Sequence, residues 1–88
     1  MESKIILITG ATQGIGKETA LALAKQGHTV ILHGRNEAKL QAVSEEIKTI
    51  TGNGRVDTIL ADLFSLSDTK RMADEFKSRY DRLDVLIN

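Results

Sequence analysis

Thr9-Gly10-Ala11-Thr12-Gln13-Gly14-Ile15-Gly16 is the stretch on which the reading of this chain turns. It follows Lys4-Ile5-Ile6-Leu7-Ile8-Thr9, a short apolar run rich in β-branched residues, which predicts a strand buried on both faces. It precedes Ile15 to Gln26, a segment of Ala, Leu, Lys and Glu that favours a helix, with Ile15, Ala20, Leu23 and Ala24 expected on one face. Gly10 to Gly16 is therefore read as a loop between a strand and a helix. A helix N-terminus carries free N–H groups and a partial positive charge, so it receives anions. A phosphate reaches those groups only if the loop turns sharply and lacks side chains, and glycine meets both needs. Gly10 is assigned the turn, Gly14 the approach of a phosphate, and Gly16 the close packing of helix on strand. The competing reading is a glycine-rich turn that binds nothing. Three glycines within seven residues, in a strand–loop–helix context, argue against it.

Neighbouring motifs fail on spacing. A P-loop needs Gly, four residues, then Gly-Lys-Ser/Thr, whereas Gly16-Lys17 is preceded at that distance by Ala11 and followed by Glu18. The G-x-G-x-x-G order is absent as well; the glycines here read G-x-x-x-G-x-G.

Working outward, the strand and helix periods alternate. Gly27 stands where a left-handed residue ends the first helix. Thr29 to His33 is a second strand, and Asn36 is a good cap for a second helix with Glu37 in its first turn. Leu40, Val43, Ile47 and Ile50 form an apolar stripe, and Gly52-Asn53-Gly54 ends that helix. Val56 to Ala61 is a third strand. Ser65 or Ser67 caps a third helix, whose apolar face is Met72, Ala73, Phe76 and Tyr80. Leu83 to Ile87 is a fourth strand. This alternation predicts an α/β fold with right-handed crossovers and a parallel sheet. No repeat, linker or domain boundary interrupts residues 1–88.

Composition narrows the function. Twelve basic residues balance twelve acidic ones, so the basic excess that nucleic acid or an anionic membrane surface demands is missing. There is no cysteine, hence no disulfide, thiolate metal site or cysteine nucleophile. His28 and His33 lack a third ligand nearby, so no metal is expected. The longest early apolar run is too short for a signal or membrane segment, and a cytoplasmic protein is the default.

Thr-Gly-x-x-x-Gly-x-Gly after the first strand resembles the short-chain dehydrogenase/reductase family. The resemblance covers the whole chain and implies a Rossmann-like sheet in strand order 3-2-1-4. Ala61-Asp62-Leu63 follows the third strand, where the family has an acidic residue and a leucine. Leu83-Asp84-Val85-Leu86-Ile87-Asn88 is similar to the lead-in to the family's Asn-Asn-Ala-Gly motif. Gly16-Lys17-Glu18-Thr19-Ala20 and Gly34-Arg35-Asn36 resemble its retinol-dehydrogenase-like branch.

The resemblance implies a dinucleotide, NADP(H) or NAD(H), bound by Gly10, Thr12, Gln13, Gly14, Ile15, Gly16, Arg35, Asn36, Asp62, Leu63 and Asn88. Asp62 is assigned the adenine amino group, Asn88 the neighbourhood of the adenosine ribose, and Thr12 a hydroxyl on the phosphate loop. Thr9 is expected to tie the loop to neighbouring backbone. The end of the second strand favours NADP(H): an NAD site offers a carboxylate there, but Leu32-His33-Gly34-Arg35-Asn36 offers a guanidinium fork suited to a 2′-phosphate. NAD(H) stays open as the alternative.

The family's catalytic Ser and Tyr-x-x-x-Lys have no counterpart. The only tyrosine is Tyr80, and four residues on stands Asp84. The expectation is the cofactor-binding first part of a longer oxidoreductase acting on a small alcohol or carbonyl substrate, inactive by itself. The alternative is a non-catalytic nucleotide-binding or self-associating half-fold. The apolar Val85-Leu86-Ile87 edge suggests a homo-oligomer.

Overall fold

The computed structural model describes residues 3–88. Four strands and three helices alternate: β1 (Ile5–Ile8), α1 (Gly14–Lys25), β2 (Thr29–Gly34), α2 (Glu37–Thr51), β3 (Val56–Leu60), α3 (Leu66–Arg79) and β4 (Val85–Ile87). All strand pairs are parallel, in the order β3-β2-β1-β4. The parallel α/β arrangement is the one expected from the alternation of periods, and the strand order is the Rossmann-like one that the resemblance implied.

The two faces of the sheet follow from the two-residue period of its strands. Ile6, Ile8, Val30 and Leu32 point to one face and pack with Ala20 and Ala24 of α1 and Leu40, Val43 and Ile47 of α2. Leu7, Ile31 and Ile59 point to the other and meet Met72 and Phe76 of α3. Central β1 and β2 are thus buried on both sides, which is why they read as continuous apolar runs. Local signals set the helix ends. Asn36 accepts from the Lys39 N–H at 3.0 Å, Ser65 caps α3 through the Asp68 N–H, and Gly52 ends α2 at φ 71°.

Several expectations need correction. α1 starts at Gly14, so Gly14 to Gly16 form its first turn rather than a loop. Ile15 is 85% exposed and lies off the packed face of α1, because that face is filled by Ala20 and Ala24. Ile50 is 54% exposed at the last turn of α2, where the buried stripe stops at Ile47. Ala73 is exposed, and Tyr80 falls one residue past α3, although it packs on Phe76 as the apolar face required. Among the described residues no helix is long and apolar enough to cross a membrane.

Polar clasps hold the outer elements. Asp57 at the start of β3 accepts from the Tyr80 hydroxyl at 2.6 Å and pairs with Arg79 at 2.6 Å. Burial pushes its carboxyl up, but the Tyr80 hydroxyl, Arg79 and the Thr58 N–H outweigh that and leave it below the usual carboxylate range. Asp84 accepts from the Ile5 N–H at 2.8 Å, locking β4 to β1, and this bond together with Arg82 lowers its pKa. Arg71 and the Asp62 N–H lower that of Asp68. These carboxyls bind protons less readily in the fold than in the unfolded chain. Their stabilisation is therefore complete above the unfolded value, near 4, and is lost as pH falls through the lower folded values. The midpoint of thermal unfolding, followed by circular dichroism, is expected to fall steadily as the pH is lowered from about 5 through the range below the ordinary carboxylate pKa. A midpoint that holds constant across that range would show that the clasps contribute nothing.

Candidate functional site

The carboxyl ends of β1, β2 and β3 bring three loops together at one edge of the sheet. The first loop turns where its sequence permits: Gly10 and Gly14 have φ of 61° and 64°, in the left-handed region. Gly16 serves a different need. A Cβ there would lie 2.6 Å from the Gly10 carbonyl oxygen and 3.2 Å from the Ala11 Cα, so only glycine lets α1 pack this tightly on the turn.

Helix α1 differs from its neighbours at its N-terminus. The Gln13 cap makes no side-chain hydrogen bond, and the first turn holds no acidic residue. α2 and α3 are both capped by side chains and carry an acid in the first turn. The opening N–H groups of α1 thus lack a side-chain acceptor, and the positive end of the helix is not neutralised by its own first turn. Lys17 in that turn pairs away from the loop, with Glu46 of α2 at 2.7 Å.

A buried histidine braces the loops. His33 Nδ1 accepts from the Gly10 N–H at 3.1 Å, and its Nε2 lies 2.9 Å from the Ala61 carbonyl oxygen. Accepting at Nδ1 requires the proton on Nε2, which then donates to Ala61. One imidazole therefore spans the glycine loop and the residue just before Asp62. The His33 carbonyl also accepts from the Ala11 N–H at 3.0 Å. Thr9 takes the structural role expected of it: its N–H donates to the Ile87 carbonyl at 2.9 Å, and its hydroxyl donates to Asn88 Oδ1 at 3.1 Å.

Asp62 is fixed from two sides. Its N–H donates to Asp68 Oδ2 at 2.5 Å, and its own Oδ1 accepts from the Phe64 N–H at 3.0 Å. Its Oδ2 makes no hydrogen bond among the described residues.

Two adjoining grooves, each about 500 Å³, open between these loops. Thr12, Gln13 and Arg35 line both. Gly10, Leu63, Phe64 and Asn88 complete one, while Asn36, Lys39 and Asp62 complete the other. Their volumes fall within the range of small-molecule sites. Gly14, Ile15 and Gly16 stand beside them in the first turn of α1. The sequence-predicted residues thus gather at one edge. A more apolar groove of about 370 Å³, between Leu7, Met72, Phe76 and Leu83, has none of these loops in its lining.

Lys39, His33, Asp68 and Phe64 escaped the sequence reading. Lys39 had a signal: a cation in a helix's first turn opposes the macrodipole and calls for another explanation. The others act through contacts between segments distant in sequence, which no local pattern reports. Tyr80 stands apart from the site, near the opening of β3. Burial and its hydrogen bond to Asp57 push its pKa up to about 12, which suits a structural hydroxyl rather than a proton donor at neutral pH.

The short chain dehydrogenase family model matches residues 4–88. The chain belongs to the short chain dehydrogenase family. Among its relatives, glucose 1-dehydrogenase of Gluconobacter oxydans is 42% identical over 84 residues, covering 96% of this chain and 31% of that protein. Retinol dehydrogenase 13 of Mus musculus is 40% identical over 85 residues, covering 97% and 25%. Among solved structures, a short chain dehydrogenase from Escherichia coli CFT073 complexed with NADPH superposes with a TM-score of 0.88 at 42% identity, over 100% of this chain and 38% of that one. YwfH, described as an NADPH dependent reductase of bacilysin biosynthesis, gives 0.92 at 31% identity, over 99% and 37%. The chain therefore spans about a quarter to a third of the length of these short chain dehydrogenase relatives. Its relatives are oxidoreductases.

Proposed function

We propose that residues 1–88 form the N-terminal, cofactor-binding part of one dinucleotide-binding Rossmann domain, and that the cofactor held there is NADP(H). The parent protein is then an oxidoreductase that moves a hydride between nicotinamide and a small alcohol or carbonyl compound. The observation that carries the cofactor choice is Arg35. Its guanidinium makes no hydrogen bond or ion pair among the described residues, at the strand end where an NAD site needs a carboxylate. The NADPH complex of the Escherichia coli relative supports the same choice.

The chain's own groups fit this cofactor. The uncapped start of α1, Gly14, Ile15 and Gly16, offers N–H groups to a pyrophosphate. Gly10 makes the turn that exposes them, with Thr12 and Gln13 beside it. Arg35, with Asn36 and Lys39, offers positive charge and donors to a 2′-phosphate. Asp62, through its free oxygen, accepts from the adenine amino group, with Leu63 and Asn88 lining the adenosine groove. The bound nicotinamide supplies the hydride chemistry; these residues supply affinity and orientation. The 88 residues carry no Ser, Tyr and Lys centre of the family's spacing, so catalysis by them alone is not expected.

Titration of the protein and of Arg35→Ala with NADPH and with NADH, followed by nicotinamide fluorescence, tests the cofactor choice. The variant is expected to bind NADPH about ten-fold more weakly, the loss of a charged hydrogen-bonding partner, and NADH within about two-fold of the parent. Equal losses for both cofactors would remove Arg35 from 2′-phosphate recognition. NADH binding tighter than NADPH in the unaltered protein would reverse the choice.

A further inference from the structure

Phe64 is 89% exposed, the most exposed large apolar side chain among the described residues. It sits two residues after Asp62 in the β3–α3 loop and packs into neither core cluster. Burial does not account for it. Its ring does have one partner: the Arg35 guanidinium carbon lies 5.5 Å from the ring centroid, within the range of a cation–π contact. Both side chains line the same groove.

Arg35 needs such a partner. Four of the five arginines are tied by hydrogen bonds: Arg55 to the Gly27 carbonyl, Arg71 to Asp68, Glu75 and the Leu60 carbonyl, Arg79 to Glu75 and the Thr58 carbonyl, and Arg82 to Asp84. Arg35 has no such bond among the described residues and stands on an exposed loop between β2 and α2. A free arginine side chain of this length loses considerable rotamer freedom when it is fixed on a ligand. A carboxylate would fix it beforehand but would occupy its donors and cancel its charge. An aromatic face fixes the planar group while leaving its N–H edge and its charge free.

We infer that Phe64 is a positioning residue that stacks on Arg35 and pre-orders its guanidinium for the 2′-phosphate, so that a side chain in the β3–α3 loop sets the preference for NADP(H) over NAD(H). This rests on the cofactor reading above. It adds the source of the discrimination: the 2′-phosphate is read by a two-residue unit built from separate loops. The backbone of the same loop is already rigid, since the Phe64 N–H donates to Asp62 and the Asp62 N–H donates to Asp68. The ring is thus presented from a fixed base.

The test compares the protein with Phe64→Leu, Phe64→Trp, Arg35→Ala and the Phe64→Leu/Arg35→Ala double variant. Affinities for NADPH and NADH are measured by titration, and the Arg35 side-chain Nε–H resonance is recorded by NMR without cofactor. Phe64→Leu is expected to weaken NADPH about two- to five-fold more than it weakens NADH, the effect of one exposed cation–π contact. Phe64→Trp restores or exceeds the parent's affinity for NADPH. In the Arg35→Ala background, Phe64→Leu has no further effect. The Arg35 resonance, shifted upfield by the ring, moves back in Phe64→Leu. Equal weakening of NADPH and NADH by Phe64→Leu, or an effect that persists without Arg35, would overturn the inference while leaving the cofactor reading intact. An unaltered protein that binds neither cofactor would overturn the cofactor reading itself; the Arg35 resonance would then still report whether the stack exists.

Discussion

Gly16→Ala is expected to destabilise the fold by about 2 kcal/mol and to abolish measurable nucleotide binding. The added Cβ would meet the Gly10 carbonyl oxygen at 2.6 Å and the Ala11 Cα at 3.2 Å. Both are backbone atoms, so no side-chain rotation relieves the contact. The loop cannot simply retreat. The Gly10 N–H is bound to His33 Nδ1 and the Ala11 N–H to the His33 carbonyl, which tie the loop to β2. Either those bonds lengthen or the start of α1 swings away, and the latter misplaces the N–H groups assigned to the pyrophosphate. Gly54→Ala is the control, because nothing lies within 4 Å of a Cβ there. Urea unfolding and NADPH titration on both variants measure the two effects separately. A Gly16→Ala protein with the parent's stability and affinity would show that the helix does not need to approach the turn so closely.

His33→Leu is expected to cost about 3 kcal/mol, the larger of the two losses in stability. Leucine fills a comparable space but leaves the Gly10 N–H and the Ala61 carbonyl without their partner. The Ala61 carbonyl is buried, and orphaning such a group costs about 1–3 kcal/mol; the Gly10 N–H, on an exposed loop, adds a smaller amount. Native proteins are stable by only roughly 5–15 kcal/mol, so a loss of this size is a large part of the total. The damage also falls on the site, because the same ring fixes the loop carrying Gly10 and the strand end carrying Asp62. Nucleotide affinity is expected to fall even at temperatures where the variant remains folded. Urea unfolding gives the first quantity and titration below the transition gives the second. A loss under about 1 kcal/mol would mean that water or a shifted backbone replaces both bonds.

How much of this was legible in sequence depends on the range of each interaction. Strands β1 and β2 were legible because both their faces are buried, and burial on two sides leaves an unbroken apolar run. The cap at Asn36 and the stop at Gly52 were legible because a cap bonds within three residues of itself. The separate structural demands on Gly10 and Gly16 were readable from the strand–loop–helix context, and the geometry meets them through a positive φ at one and a close backbone approach at the other.

What stayed hidden was non-local. Ile15 carries an apolar side chain at helical spacing, yet it lies off the face of α1 that Ala20 and Ala24 pack on the sheet and is left in solvent. Ile50 errs in the same way at the far end of α2. His33 sits at a strand end with nothing in its neighbourhood to announce that its ring joins β1 to the end of β3. The pairing of Arg35 with Phe64 joins two loops far apart in sequence, and neither residue's local pattern points to the other. The Asp62 carboxylate was legible as a candidate, but not its support from Asp68 at the start of α3.

The most direct measurement is the change in backbone amide NMR shifts when NADPH is added to the protein. Shifts concentrated at Gly14, Ile15 and Gly16, at Arg35 and Asn36, and at Asp62 and Leu63 are the predicted result, since these amides belong to the uncapped helix start and the two loops facing it. Absence of any shift at saturating NADPH would contradict the assignment of a dinucleotide to this edge of the sheet. So would shifts confined to the apolar groove around Met72 and Phe76.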